Sequence, residues 1–141
     1  MDDNELRQAM ATMESYKERA EALTRQVQVL RVSLEEVTMA ADALKAFQNA
    51  KEGDEIMVPI GASSFITVKV TSNRNVVVDI GSSISVEKEV DDAINYMEGN
   101  GAEISEALKK TADALNETQQ TLNNLASAIQ ANYESRMGKM Q

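Results

Sequence analysis

The 141-residue sequence predicts an α+β chain in which two long coiled-coil helices, at 4–50 and 91–138, are joined by two β-hairpins at 56–89. Three observations carry that expectation. An apolar heptad repeat runs unbroken through the first stretch, and a weaker one runs through the last. Four short β-branched runs bounded by turn residues lie between them.

The first stretch contains neither proline nor glycine. With Leu6 at heptad position a, the a series is Leu6, Met13, Ala20, Val27, Leu34 and Ala41. The d series is Ala9, Tyr16, Leu23, Leu30, Val37 and Leu44. All are apolar or aromatic, the pattern of a helix that buries a narrow seam against another helix. Asp2 and Glu5 have capping-box spacing, and Gly53 is placed to terminate the last turn.

The β region opens at Gly53-Asp54. Its runs are Ile56-Met57-Val58-Pro59-Ile60, Phe65-Ile66-Thr67-Val68-Lys69-Val70, Val76-Val77-Val78-Asp79-Ile80 and Ile84-Ser85-Val86-Glu87. Pro59 lacks a ladder donor, so the first run should be an edge strand or carry a bulge. Gly61-Ala62-Ser63-Ser64 and Ser72-Asn73-Arg74-Asn75 read as loops, and Gly81-Ser82-Ser83 as a tight connection. Period-two alternation puts Ile66, Val68 and Val70 on one face, likewise Val76, Val78 and Ile80, with Ile84 and Val86 able to join them. Two hairpins with one apolar side do not sustain themselves, so strands from other chains are expected to complete the sheet.

In the second helical stretch the a series is Ile94, Gly101, Leu108, Leu115, Leu122 and Ile129, and the d series is Val90, Met97, Ile104, Thr111, Thr118 and Leu125. Gly101, Thr111 and Thr118 depart from the apolar pattern. Gly99-Asn100-Gly101 is either a hinge or a continuous helix in close packing with its partner. Each arm, of about 45 residues, would be ~65–70 Å long. Equal arms can pair antiparallel with both termini at one tip, Leu44 near Ile94 and Leu6 near Asn132.

Composition excludes several functions. The formal charge is −9, from 14 basic and 23 acidic residues, which argues against a nucleic-acid partner. With no cysteine and no histidine there is no disulfide, thiolate nucleophile or ordinary general base, so no enzyme, catalytic residue, metal site or cofactor is expected. There is no signal-peptide pattern and no apolar run long enough to span a bilayer, so the expectation is a cytoplasmic chain without a membrane partner.

Of the eight methionines, Met1, Met10, Met13, Met137 and Met140 lie near a terminus, and residues 118–132 carry no charge. An unbranched, polarisable side chain repacks against many apolar surfaces, so these residues suit a non-selective grip at the arm tips. Equally, Met13 is an ordinary seam position and Met1 the initiator.

The order of long helix, two hairpins and long helix resembles the prefoldin α-type subunit, in particular the archaeal one. The likeness is carried by Val58-Pro59-Ile60-Gly61-Ala62-Ser63-Ser64-Phe65-Ile66, by Val77-Val78-Asp79-Ile80-Gly81 into Ile84-Ser85-Val86-Glu87-Lys88, and by Asp91-Asp92-Ala93-Ile94. The resemblance implies one subunit, 1–141, of a molecular chaperone whose hairpins form part of an oligomeric β-barrel. Two α subunits and four prefoldin β subunits would make a hexamer. Unfolded client proteins would be held without ATP at the coiled-coil tips and delivered to a group II chaperonin. The candidate client-binding residues are Leu6, Met10, Met13, Ile129, Tyr133, Met137 and Met140. The candidate assembly residues are Val58, Pro59, Ile60, Phe65, Ile66, Val68, Val70, Val76, Val78, Ile80, Ile84 and Val86. A filament-forming scaffold and a coiled-coil adaptor for one folded partner are the alternatives.

Overall fold

The computed structural model describes residues 2–139. In chain order it contains α1 (Asp3–Asn49), β1 (Glu55–Gly61), β2 (Ser64–Lys69), β3 (Asn75–Asp79), β4 (Ser85–Glu89) and α2 (Val90–Lys139). This is the expected arrangement of two long helices and two antiparallel hairpins. Contacts group the chain into two compact units. A terminal unit combines the residues up to Leu30 with those from Ala107 onward, and a hairpin unit spans Arg31–Glu106.

In the terminal unit, α1 begins as its capping chemistry dictates. The Asp2 carboxylate accepts the Glu5 N–H at 2.8 Å, and the Asp2 carbonyl accepts the Leu6 N–H at 3.0 Å. Asp3 and Glu5 then place negative charge in the first turn, where exposed amide N–H groups favour it. The two helix segments run antiparallel here, with Asp3 ion-paired to Arg136 at 2.6 Å. Val27 is buried, as are the d-position residues Thr111 and Thr118. Each threonine hydroxyl donates to the carbonyl four residues back, Ala107 and Ala114 respectively, at 2.8 Å. That local bond leaves only the methyl facing the seam and explains how a hydroxyl sits in it at low cost.

In the hairpin unit, β1 pairs with β2 and β3 with β4 as separate two-stranded sheets. Ile56 faces Val68, Val58 faces Ile66 and Pro59 faces Phe65, after which the register slips so that Gly61 faces Ser64. The slip next to Pro59 is the expected irregularity. Both hairpins turn by one device: a glycine at positive φ (Gly61, +99°; Gly81, +106°) followed by two residues in the left-handed region. Those residues are Ala62 and Ser63 in one turn and Ser82 and Ser83 in the other, the two-residue geometry that matches strand twist.

Gly53 does not cap α1, which ends at Asn49. It sits instead at the third position of a Lys51–Asp54 turn, where a φ of +90° is required and the Asp54 N–H donates to the Lys51 carbonyl at 3.0 Å. The last turn of α1 contains no basic residue. Arg74, in the loop between β2 and β3, supplies that cation: Nη2 donates to the Ala50 carbonyl at 2.7 Å and to the Gln48 carbonyl at 3.4 Å. Its guanidinium lies 4.7 Å from the centre of the Phe47 ring. The helix end and the second hairpin are thereby tied together.

The start of α2 is joined to the end of α1 by the Gln48 amide, which donates to the Asp91 carboxylate. α2 passes through Gly99-Asn100-Gly101 as continuous helix. A Cβ on Gly101 would lie 3.7 Å from Val37 Cγ1, so this glycine marks close helix packing. The unit's core is Ala41, Ala50, Val70, Val78, Ala93 and Ile94.

Candidate functional site

The terminal unit holds an open, mainly apolar groove of about 580 Å³. Leu6, Met10 and Met13 line it from α1, at i, i+4 and i+7; Ala126, Ile129, Gln130, Tyr133 and Glu134 line it from α2. These spacings put each set on one helix face. Five of the seven residues expected at the tip therefore meet in one place. Met137 lies one turn beyond Tyr133 and is 49% exposed without lining the groove. Met140 lies outside the described residues, as does Met1. Ala126, Gln130 and Glu134 were missed, although their spacing from Ile129 and Tyr133 could have found them.

Groove electrostatics are weak. Glu134 is the single ionised residue of the lining, and its carboxylate accepts the Gln130 amide at 3.3 Å. Leu6 shares the groove with Gln130 and Tyr133, which flank the Asn132 position that the arm lengths predict for it. Tyr133 is 62% and Met10 51% exposed, so the groove presents apolar surface to whatever enters.

The hairpin unit offers a second apolar surface. Ile60, Phe65, Ile66, Ile80 and Ile84 are exposed, whereas Val58, Pro59, Val68, Val76 and Val86 are half-buried and Val70 and Val78 are buried. The single apolar face expected from alternation is thus divided. Val70 and Val78 are enclosed, while Ile60, Ile80 and Ile84, beside the turns, are open. Met57 and Val77, on the opposite strand faces, are exposed as well and were not anticipated. Between the first hairpin and α1, Ile56, Val58, Val68 and Val70 border a cleft of about 320 Å³ with Leu44 and Phe47. A large open apolar area beside unpaired strand edges is the mark of an assembly surface.

Among the described residues no group of three or more metal-ligating side chains converges, and no helix is long and apolar enough to cross a membrane.

Two helices bearing heptad seams, joined by a pair of small hairpins with open edges, define a coiled-coil subunit of prefoldin type. The chain belongs to the prefoldin family: the family model described as Prefoldin subunit matches residues 16–135. A prefoldin subunit alpha of Methanothrix thermoacetophila is 34% identical over 108 residues, covering 77% of this chain and 71% of that one. Among solved structures, the filamentous PFD from Methanocaldococcus jannaschii superposes with a TM-score of 0.61 at 23% identity, covering 83% of this chain and 97% of that chain. The prefoldin beta subunit from Thermococcus strain KS-1 superposes with a TM-score of 0.60 at 14% identity, covering 91% of each. Both structures share the fold.

Proposed function

We propose that this chain is an α-type prefoldin subunit that assembles through its hairpins and holds non-native proteins in the groove of its terminal unit. The groove is the observation that carries the reading: an accessible, mainly apolar surface that includes the adaptable side chains of Met10 and Met13, with one formal charge in its lining. Low charge keeps the desolvation cost small when an unfolded apolar segment docks. The open hairpin surface supports completion by a second α subunit and four β-type subunits. Capture uses no ATP, and release passes the client to a group II chaperonin in the cytoplasm.

The test is to remove residues 1–13 and 133–141 and to form the complex with the β-type subunit of the same source. The expected outcome is a complex of unchanged subunit stoichiometry, lighter only by the removed residues, that no longer suppresses aggregation of an unfolded protein. Undiminished suppression by the trimmed complex would refute the groove as the holding site.

The likeness to a filamentous relative supports a second reading, a scaffold that polymerises through its hairpins. The mass of the purified chain distinguishes the two. A closed complex formed only with the β-type partner supports the first, and open-ended assembly of the chain alone supports the second.

A further inference from the structure

The side chains that form the groove also make it chemically vulnerable. The chain contains no cysteine, histidine or tryptophan but eight methionines. Peroxides attack thiolates ahead of thioethers, and here no thiol competes. Met10 and Met13 line the groove, and Met10 and Met137 are about half exposed (51% and 49%). The groove's few polar groups are the Gln130 amide, which donates to Glu134, the Glu134 carboxylate and the Tyr133 hydroxyl, so the rest of the lining has nothing to offer a newly polar side chain.

Resting on the holding role proposed above, we infer that Met10 and Met13 within the groove, and Met137 one turn beyond its Tyr133, are oxidation sites through which a hydroperoxide weakens the groove's grip on apolar segments, reversibly. In the step, a lone pair of the methionine sulfur attacks the outer peroxide oxygen. The S–O bond forms as the O–O bond breaks, the thioether loses two electrons, and the departing oxygen takes up the proton to leave as water or an alcohol. The product sulfoxide is a polar, chiral acceptor where an apolar thioether stood. Pressing a sulfoxide against a client's apolar side chain strips it of water, so docking loses the favourable transfer it depends on. Reduction by sulfoxide reductases specific for the two epimers restores the thioether and the grip: a dithiol reductant supplies two electrons and two protons, becoming a disulfide as the oxygen leaves as water.

The experiment uses the full chain in a Met57→Leu background, which removes the exposed hairpin methionine. The chain is treated with hydrogen peroxide, quenched with free methionine, combined with untreated β-type subunit, and assayed for suppression of aggregation. Peptide mass mapping locates the sulfoxides, and the mass of the complex reports assembly. Each sample is compared with its own reduced form. Capture should fall roughly tenfold on oxidation, with assembly intact and full recovery after treatment with both reductases. A Met10→Leu, Met13→Leu, Met137→Leu chain, close in volume to the original, should change less than about twofold on the same treatment.

The inference is overturned if sulfoxides form at the three positions and capture persists, if those positions stay unoxidised while others react, or if the leucine chain loses capture equally. Failure of the reduced complex to capture any client is a different result, and it removes the holding role itself. Reductase recovery on the original residues provides the test even if the leucine chain folds poorly.

Discussion

The terminal unit carries eight basic and nine acidic side chains and the hairpin unit six and fourteen, so −8 of the chain's formal −9 resides in the hairpin unit. Burial follows the same division. The hairpin unit encloses six apolar residues, whereas in the terminal unit Val27 is the buried apolar side chain beside the self-satisfied Thr111 and Thr118. Two paired helices form one seam and leave it half covered, while helices that also pack on a sheet can close a core. The contrast shows how one pair of helices builds two units of different character. Where a third layer packs against them they make a stable, strongly charged body, and where none does they offer a near-neutral surface with apolar side chains in reach.

The sharpest way to break this comparison is at neighbouring residues of β3. Val78 is 2% exposed and pairs with Val86, whereas Val77 is 67% exposed. Val78→Asp leaves an uncompensated charge in the core and should cost roughly 3–5 kcal/mol in urea denaturation of the chain. Val77→Asp should stay within about 0.5 kcal/mol of the original, while weakening association with the β-type subunit. Equal losses would mean that the hairpin unit has no such core.

Arg74→Ala removes both hydrogen bonds to the Gln48 and Ala50 carbonyls and the contact over Phe47. The expected loss is roughly 2–3 kcal/mol, read from the same denaturation curves. Arg74→Lys should recover less than half of it, because a point charge cannot span two carbonyls and stack on a ring.

Gly101→Ala works in the opposite direction. A methyl group at ordinary contact distance from Val37, in a helix that already runs through, should raise stability by about 1 kcal/mol. Client capture should be unchanged, and a loss of capture would point to a hinge that the continuous helix does not require.

The smallest effect concerns Lys45, which pairs with Glu98 at 2.9 Å. The hydrogen bond and then the charge of Glu98 raise the lysine above its ordinary 10.5. A raised folded-state value stabilises fully below 10.5 and is lost as pH rises through it. Lys45→Met should therefore leave the pH dependence of stability near neutrality unaltered and flatten it only in the alkaline range, by little because the pair is exposed.

The heptads were legible because a seam of period 3.5 is written locally. None of the twenty-four a and d positions assigned from the residues is exposed. The groove was partly legible for the same reason, through Leu6, Met10, Met13, Ile129 and Tyr133, whereas Ala126, Gln130 and Glu134 are marked only by their helical spacing from Ile129 and Tyr133. The fate of the β side chains was not legible. Alternation assigns Val78 and Ile80 to one face, but it does not reveal that Val78 is buried while Ile80 remains 43% exposed.

Sequence by itself determined the helices, the number of hairpins, the irregular first strand and the apolar character of both ends, since periodicity, glycine and proline act within a few residues. Tertiary structure alone decided that Arg74 caps a helix ending 25 residues earlier, that Gly101 packs on Val37, and which members of one apolar face remain open. Each of those depends on segments distant along the chain meeting in space, and a local pattern holds no record of where its neighbour ends.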